Sequence, residues 1–383
     1  MEKGHDVVVL TGFPNWPEGR LYPGYKIKLR QKEMIGGVPV IRVPLYPNHS
    51  KSKIRRISNY LSFVITSSLL GVLFIQRPDI IHAIQPPTTC LPAWFLSRLW
   101  RIPFTYEVQD MWPETLEATG MMNNKKVLSL VSRFCDWSYR KADAIRVISP
   151  GFRENLIAKG VPPEKIHVIS NWVDTDFYKP RKSNPTLAEK FGFQNKFNIL
   201  YAGTIGPAQG LATVLKAAQL LKNMPAVQFV IAGEGLALSD LQEYAQAHDI
   251  SNVKFLGRQP MSLMPELYAL SDILLVHLKD DPLFRITIPH KTLTYLAAGK
   301  PVLAAVEGDG ADIINAYKAG LTCESAHPEN LAARIKEFLN MSPNDRQRLG
   351  NNGRSSAISN FGKDKLVNDT SVMLTTVVGR NRY

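Results

Sequence analysis

Short apolar runs alternate with longer amphipathic segments along almost the whole chain. The apolar runs have the length and composition of buried strands, and the amphipathic segments have those of helices. In the first half the predicted strands are Asp6–Leu10, Val40–Val43, Ile80–Ala83, Phe104–Glu107, Ala144–Ile148 and His167–Ile169. In the second half they are Ile199–Ala202, Gln228–Ala232, Val253–Leu256, Ile273–His277 and Pro301–Ala305. This alternation predicts an α/β protein with two doubly wound parallel sheets.

The boundary between the two sheets is predicted in residues 171–196. This segment is polar, charged and interrupted by two prolines, as interdomain crossings often are. We therefore expect a first domain over residues 1–178 and a second over residues 179–363. A last helix within residues 364–383 is expected to pack back on the first domain.

Composition and charge restrict the class of protein. The net charge is +13, and the residues up to Tyr178 hold 23 lysines and arginines against 15 acidic residues. Such a basic half would attract anionic lipids, a phosphorylated substrate or nucleic acid. The chain has no zinc-finger, RNA-binding or basic-zipper motif, so nucleic acid is not expected. The odd number and wide spacing of Cys90, Cys135 and Cys323 indicate a reducing compartment and no structural zinc site.

The most apolar run, Tyr60–Ile75, has two interpretations. Its sixteen residues fall short of the ~20 needed to span a bilayer. It is either a helix packed on the sheet or an interfacial helix that docks on a membrane. Headgroups would then contact the basic residues just before it, which are Lys51, Lys53, Arg55 and Arg56. Residues 1–12 are polar and then strand-like, unlike a secretory signal.

Two junctions between a strand and a helix in the second half are rich in glycine. The strand that ends at Ala202 leads into the loop Gly203–Gly210 (GTIGPAQG), and the strand Gln228–Ala232 leads into Gly233-Glu234-Gly235. Glycine lets backbone amides approach a phosphate closely, because it has no Cβ. Either loop alone could be only a tight turn. Their occurrence in the same half favours a nucleotide-type ligand.

The segment Phe284–Val302 (FRITIPHKTLTYLAAGKPV) predicts a helix that begins at Pro289 and stops at Gly299. Lys291 would lie in its first turn, where unpaired N–H groups and the helix dipole favour an anion. The alternative is a surface lysine on an ordinary helix. Because both glycine loops are predicted beside the same sheet, a diphosphate bound at Lys291 is the favoured interpretation.

Eight segments, in order along nearly the whole chain, carry a family resemblance: GHDVVVLTGFPNWPEGRLYPGY (4–25), PDIIHA (78–83), YEVQDMWPE (106–114), VISNWVD (168–174), YAGTIGPAQGL (201–211), IAGEG (231–235), FLGR (255–258) and IPHKTLTYLAAGKPV (288–302). They resemble the family-4 glycosyltransferases, and within them the branch that builds bacterial surface polysaccharide, such as O-antigen N-acetylfucosaminyl and colanic-acid transferases. The resemblance implies the GT-B fold, in which two Rossmann-like domains face each other across a cleft.

The same resemblance implies a reaction. A sugar would pass from a nucleotide diphosphate donor, a UDP-sugar above all, to an acceptor hydroxyl with retention at the anomeric carbon. Neither a metal nor another cofactor is expected. The donor would bind the second domain, and a lipid-linked or oligosaccharide acceptor would bind the first. A cytoplasmic enzyme, peripheral on the inner face of the membrane, is implied.

The resemblance also implies which residues form the site, at the positions that match the family's motifs. The catalytic residues would be Glu107, Asp110 and Lys291. The donor-binding residues would be Gly203, Gly206, Gln209, Gly210, Gly233, Gly235, Arg258, Arg285, His290 and Thr294. For the two carboxylates, the alternative is a strand-end residue that caps the following turn.

The chain departs from the family pattern at the ribose position. Thr294 stands where the family has a glutamate that accepts both ribose hydroxyls, and Ile286 replaces the partner glutamate. A threonine cannot accept two charge-assisted hydrogen bonds, which contribute about 1.5–3 kcal/mol each. Further replacements of charged or polar family residues are Thr204, Gln209, Gln109 and His290.

The family pattern also has an opening strand and cleft loop ahead of Gly4, so the first domain is expected to lack its opening βα unit. Together with Thr294 and Ile286, this supports an alternative hypothesis of a degenerate, non-catalytic homologue that binds a partner or a glycan. A nucleotide-sugar epimerase is disfavoured. His82 and His277 are expected to be packed or hydrogen-bonded strand histidines, with an approach to the cleft as the alternative.

Overall fold

The computed structural model describes residues 1–15, 18–48 and 53–380, apart from the side chains of residues 53, 54 and 56. Within these ranges thirteen strands form three sheets. The strands are β1 (Val9–Gly12), β2 (Gln31–Ile35), β3 (Val38–Val43), β4 (Ile81–Ile84), β5 (Phe104–Val108), β6 (Ala144–Val147), β7 (Ile166–Val168), β8 (Phe197–Ala202), β9 (Val227–Ala232), β10 (Val253–Gly257), β11 (Ile273–His277), β12 (Val302–Ala305) and β13 (Gly320–Cys323).

Helices connect and cover the strands. They are α1 (Lys53–Phe74), α2 (Cys90–Trp100), α3 (Glu114–Ala118), α4 (Lys125–Lys141), α5 (Pro150–Ala158), α6 (Pro185–Phe191), α7 (Ala212–Leu220), α8 (Leu238–Ala247), α9 (Met264–Leu270), α10 (Pro282–Arg285), α11 (His290–Ala297), α12 (Asp309–Ala316), α13 (Pro328–Asn340), α14 (Pro343–Phe361) and α15 (Lys363–Arg380).

The second half contains one parallel sheet of six strands in the order β10-β9-β8-β11-β12-β13. Its five predicted strands are confirmed, with ends that differ by at most two residues. The short strand β13, which is only partly buried, was not predicted. Both faces of the sheet are covered by helices, and each face has its own hydrophobic core.

The strands of the first half divide into two sheets. Four parallel strands have the order β4-β5-β6-β7, and three others have the order β1-β3-β2. β1 runs parallel to β3, whereas β2 runs antiparallel to it. The prediction of parallel strands is therefore confirmed for β1 and for β3 to β7, and it omitted the antiparallel strand β2.

The antiparallel pair β2 and β3 is joined by a tight turn at Gly36-Gly37. Both glycines have positive φ, of 55° and 80°, which matches the mirror-image turn that suits a two-residue hairpin. β2 also has exposed apolar residues, so its alternation does not follow the pattern of a core strand.

Helix α1 contains the apolar run at Tyr60–Ile75, and it is longer than predicted. Among the described residues it is the one helix that is long and apolar enough to cross a membrane. The stretch that meets these two criteria is Ile57–Phe74, of 18 residues, and 22% of it is buried. Helices of soluble proteins can pass the same test. Lys51 and the side chains of Lys53 and Arg56 lie outside the described residues.

The last helix, α15, returns to the first half of the chain. Its Leu366 and Met373 form a small core with Ile169, and Ser371 Oγ lies 2.5 Å from His5 Nε2. Residues 381–383, which the sequence analysis included in this helix, lie outside the described residues.

Candidate functional site

The two glycine loops of the second half are bound to each other beyond the carboxyl ends of β8 and β9. Gly203 N donates to Ala232 O at 2.9 Å, and Ile205 N donates to Glu234 O at 2.8 Å. A Cβ on Gly233 would overlap Gly203 O. Glycine is thus required here by the contact between the loops, in addition to any approach of a ligand.

The loop Gly203–Gly210 is held in one shape by its own side chains. Gln209 Oε1 accepts a hydrogen bond from Gly206 N at 3.0 Å. Gly210 has a φ of +59°, in the left-handed region that favours glycine. These two features define the backbone shape of the loop.

Lys291 lies against this loop. Helix α11 begins at His290 with Pro289 as its N-cap, which confirms that Lys291 is in the first turn. Lys291 Nζ is 3.7 Å from the centre of the Tyr201 ring, and it would be 3.1 Å from a Cβ on Gly203.

The ammonium of Lys291 is buried and has no hydrogen-bond partner among the residues the structure describes. Burial lowers the pKa of Lys291 to about 7. A buried cation without a counter-charge is costly, and a helix N-terminus adds partial positive charge at the same place. The arrangement therefore favours an anion beside Gly203.

His277, at the end of β11, belongs to the same group of buried polar residues. Its Nδ1 lies 2.7 Å from Gln209 O, so Nδ1 carries the hydrogen, whereas Nε2 is buried without a partner in the described ranges. Burial lowers the pKa of His277 to about 4, and the charge of Lys291 acts in the same direction. The imidazole is neutral and packed, as the sequence analysis expected for a strand histidine.

The side chains of Thr294 and Ile286 both make contacts with other parts of the protein. The Thr294 hydroxyl donates to Lys291 O at 2.9 Å and lies beside the Tyr268 hydroxyl. Ile286 packs across to the first half, where its Cβ would lie 2.5 Å from a Cβ on Gly151. Ile286 therefore forms part of a contact between the two halves.

The remaining predicted donor-binding residues are more exposed. Arg285 Nη2 lies 3.0 Å from both Asp280 Oδ1 and Glu307 Oε2, so its charge is already compensated. Arg258 is exposed directly after β10. His290 is exposed, and its Nε2 lies 3.2 Å from Trp172 O.

Glu107 is the centre of a buried polar network in the first half. Its Oε2 lies 2.7 Å from Arg146 Nη1 and 3.0 Å from His82 Nε2, and its Oε1 accepts from Gln109 Nε2. Burial opposes ionisation, but the hydrogen bond from His82 and the charge of Arg146 outweigh it and lower the pKa of Glu107. The carboxylate is thus ionised, and both oxygens have protein partners.

Asp110 has a different environment from Glu107. Its side chain is exposed and makes no ion pair with the described residues, while Gln85 holds its backbone N and O at 2.7 and 2.8 Å. The surrounding protein atoms raise the pKa of Asp110 by burial. Asp110 is therefore the predicted catalytic carboxylate that remains available to a ligand.

Four consecutive residues, Ile169 to Trp172, connect the Glu107 network with helix α11. Arg146 donates from Nε to Ile169 O at 3.1 Å and from Nη2 to Ser170 O at 2.8 Å. Asn171 Nδ2 donates to Gln109 Oε1 at 3.0 Å, and Trp172 O accepts from His290. The crossing segment therefore fixes the first half relative to the start of α11.

The two halves also meet through the segment after β11. Ser149 Oγ donates to Ile286 O at 2.6 Å, Gly151 N donates to Asp309 Oδ2 at 2.7 Å, and Lys279 Nζ donates to Ala118 O at 2.7 Å. Leu283 enters the core of the first half. None of these residues was predicted as a site, although Ser149-Pro150 is a recognisable helix start.

Tyr201 and Arg146 were also missed. Each lies within an apolar strand, Tyr201 in β8 and Arg146 in β6, so neither carries a local signal of its own. Among the described residues, no group of three or more His, Cys, Asp or Glu side chains is arranged to hold a metal ion.

Comparisons with known proteins cover both halves. Residues 1–172 match the family described as "Glycosyl transferase 4-like domain", and residues 183–356 match "Glycosyl transferases group 1". A protein of Escherichia coli named as a colanic acid biosynthesis glycosyl transferase, WcaI, is 28% identical over 88% of this chain and 85% of its own length. A protein of Pseudomonas aeruginosa named as a glycosyltransferase, WbjE, is 26% identical over 83% of this chain and 80% of its own.

Among solved structures, HepE from Anabaena in complex with UDP-glucose has a TM-score of 0.68 and 19% identity, over 89% of this chain and 86% of that one. At this level of identity the likeness shows the shared fold, with two Rossmann-like domains.

Proposed function

The chain belongs to the family-4 glycosyltransferases of the GT-B fold, and on this premise we propose that it transfers a sugar from a UDP-sugar to an acceptor in surface polysaccharide biosynthesis. The observation that carries the proposal is the buried ammonium of Lys291 beside Gly203, at the start of α11, which has no hydrogen-bond partner among the described residues. A diphosphate placed there gives the ammonium its missing counter-charge.

The chemistry needs positive charge where the diphosphate leaves. The bond from the anomeric carbon to the diphosphate oxygen breaks, and a bond to the acceptor oxygen forms on the same face of the sugar. The acceptor proton passes to the leaving diphosphate. Lys291, the first-turn amides of α11 and the amides of the glycine loop stabilise the growing negative charge without a metal.

On the acceptor side, we assign different roles to the two carboxylates. Asp110 is exposed and makes no ion pair within the described ranges, so it is the one that contacts the sugar or the acceptor. Glu107 is a positioning residue, because its oxygens are held by His82, Arg146 and Gln109.

The relatives support the substrate classes. HepE was crystallised with UDP-glucose, and WcaI is named for colanic acid biosynthesis. We propose a UDP-sugar bound by the second domain, over residues 179–363, and a lipid-linked or oligosaccharide acceptor bound by the first, over residues 1–178. The reaction would take place at the cytoplasmic face of the membrane.

A second candidate function is a non-catalytic homologue that binds a partner or a glycan. It is favoured by Ile286, whose side chain packs against Gly151 instead of facing a ligand, and by Thr294, whose hydroxyl is bound to Lys291 O.

Calorimetric titration with UDP and then GDP is the first test, followed by release of sugar from a panel of UDP-sugars with and without EDTA. Micromolar binding of UDP with turnover that resists EDTA supports transfer. Binding without turnover of any donor or acceptor supports the second candidate, and no binding of either nucleotide contradicts the Lys291 site.

A further inference from the structure

The loop after β5 carries the carboxylate of Asp110, but it is not part of a regular element. The strand ends at Val108, and Gln109 and Asp110 belong to neither a helix nor a strand. Their backbone N–H and C=O groups therefore need partners outside the ladder of the sheet. The Asp110 carboxylate makes no ion pair with the described residues. Its direction consequently depends on how the backbone is held at this point.

The side chain of Gln85 supplies the partners that this backbone needs. Its Oε1 accepts hydrogen bonds from Gln109 N and from Asp110 N, both at 2.7 Å. Its Nε2 donates to Asp110 O at 2.8 Å. A glutamine amide offers an acceptor and two donors in one plane, much as a peptide group does. Gln85 thus does for the loop what a neighbouring strand does for β5.

Gln85 is itself anchored in the sheet. It follows β4 directly, and its backbone N donates to Glu107 O at 3.2 Å. This bond continues the parallel pairing in which Ile84 lies opposite Glu107. The amide of Gln85 therefore reaches the loop from a strand end whose position the sheet determines, and groups held by such elements are placed more precisely than groups on loops.

The side chain of Gln109 is held by other residues. Its Nε2 donates to Glu107 Oε1, and its Oε1 accepts from Asn171 Nδ2 at 3.0 Å. These bonds fix the residue before Asp110 but do not reach the backbone of Asp110. Within the described ranges, Gln85 is the residue that binds both the N–H and the C=O of Asp110.

We propose that Gln85 is a positioning residue for the transfer reaction. Its amide fixes the peptide groups of Gln109 and Asp110 and thereby sets the direction in which the Asp110 carboxylate meets the sugar or the acceptor. The inference rests on the proposed function, because it assigns to Gln85 an effect that passes through Asp110. It adds a residue to the site that makes no contact with a substrate of its own.

Turnover and nucleotide binding of the full chain are measured first. Gln85→Leu removes all three hydrogen bonds and lowers kcat for sugar release by about tenfold to a hundredfold, since a small misplacement of a reacting group has effects of this size. The calorimetric Kd of UDP stays the same, because the nucleotide is proposed to bind the second half. Gln85→Glu is a milder variant, which keeps the acceptor and loses the donor to Asp110 O, and it also lowers kcat at constant Kd.

A double-mutant cycle separates positioning from a general loss of stability. In the Asp110→Asn background, Gln85→Leu changes kcat by less than about twofold, because residues that act as a unit have non-additive effects. The matched control is Gln228→Leu. Gln228 is half-buried like Gln85, and its Nε2 also donates to a backbone carbonyl, that of Gly192, at 2.8 Å. This control lowers the melting temperature but leaves kcat unchanged.

Amide hydrogen exchange tests the hold on the loop without any turnover. Mass spectrometry of the peptide that spans residues 104–112 shows faster exchange in Gln85→Leu than in the wild type, since two of its N–H groups lose their acceptor. Gln228→Leu leaves exchange in this peptide unchanged.

The outcomes distinguish this inference from the proposed function. A wild type that releases sugar from every donor-active assay while Gln85→Leu keeps full kcat overturns the inference alone. An equal fall in kcat with and without Asp110→Asn also overturns it, because Gln85 would then act by another route. Unchanged exchange over residues 104–112 contradicts the hold on the loop. A wild type that uses no donor removes the proposed function, and the role of Gln85 in transfer with it.

Discussion

The ammonium of Lys291 lies 3.7 Å from the centre of the Tyr201 ring and has no other polar partner in the described part of the chain. A cation over an aromatic face is stabilised, but by less than a full counter-charge would provide. The lysine is thus held in place beside Gly203 while its charge remains uncompensated. A diphosphate site needs a cation that is fixed in position and whose charge is not compensated by the protein, and Lys291 meets both conditions.

Replacing Lys291 by methionine should have opposite effects on thermal stability and on UDP affinity. Lys291→Met keeps the side-chain length over Tyr201 but removes a buried, unpaired charge, so the nucleotide-free protein should melt at a higher temperature. UDP affinity should fall by about tenfold to a hundredfold, as expected for a lost charged hydrogen bond. Thermal melts and calorimetry with and without UDP measure both, and Lys216→Met, on the exposed side of α7, is the control. Unchanged UDP affinity would exclude Lys291 from the site.

The lowered pKa of Lys291, about 7, predicts a pH dependence of folding. An ordinary lysine titrates near about 10.4, so the unfolded chain binds more protons than the folded chain between these values. The free energy of unfolding should therefore contain a part that rises with pH from about 7 to about 10.4. Urea unfolding across this range measures it, and Lys291→Met should remove that part of the slope.

Binding of UDP should be linked to the same proton. Above about pH 7 the free protein has lost part of the charge on Lys291, so binding must take up a proton and weakens as pH rises further. Calorimetry in two buffers of different ionisation enthalpy reports the uptake. If the wild-type protein and Lys291→Met take up the same number of protons, another group is responsible.

Glu107 should matter for stability more than an exposed ion pair does. Glu107→Ala leaves Arg146 buried without its partner and should lower the free energy of unfolding by about 3–5 kcal/mol. Glu266→Ala breaks the more exposed pair with Arg181 and should cost less than about 1 kcal/mol. Urea unfolding compares them. The pKa of Glu107 is lowered, so its contribution to the free energy of unfolding is fully present above the ordinary carboxyl pKa and is lost as the pH falls through the lowered pKa. Equal losses of stability in the two variants would contradict a stabilising role of the Glu107 network.

Asp110→Asn should reduce turnover without changing the affinity for UDP. Its exposed side chain belongs to the first half and is proposed to contact the sugar or the acceptor, whereas the nucleotide is proposed to bind the second half, so kcat falls and the calorimetric Kd stays constant. Sugar release from the best donor of the panel gives kcat. Asp79→Asn, another exposed carboxylate of the first half, is the control, and a variant Asp110→Asn with full activity would remove this residue from the reaction.

Thr294→Glu tests whether the ribose is held at this position. A glutamate accepting both ribose hydroxyls should tighten UDP binding by about tenfold or more. Thr294→Gln adds a side chain of similar length without the charge and should tighten UDP binding less than Thr294→Glu does. Calorimetry compares the three proteins, and weaker binding by Thr294→Glu would mean that the contact of Thr294 with Tyr268 dominates.

The sequence by itself determined the local structure of most elements. An apolar run of four to six residues is typically buried on both faces of a parallel sheet. For this reason ten of the predicted strands recur with ends shifted by at most two residues. The first strand, predicted over Asp6–Leu10, begins later, at Val9. Proline and glycine set the ends of α11 through their own backbone preferences. The motif order was likewise sufficient to predict the family.

Only the tertiary structure decided which residues meet. Glu107 pairs with Arg146, 39 residues away, because β5 and β6 are neighbours in the sheet, and no local pattern encodes that neighbour. Lys291 meets Tyr201 because α11 packs beside β8. Ile286 and the exposed apolar residues of α1, such as Leu69 and Leu73, show the same limit. An apolar side chain in a sequence predicts burial, whereas its actual exposure depends on which other elements the folded chain places over it.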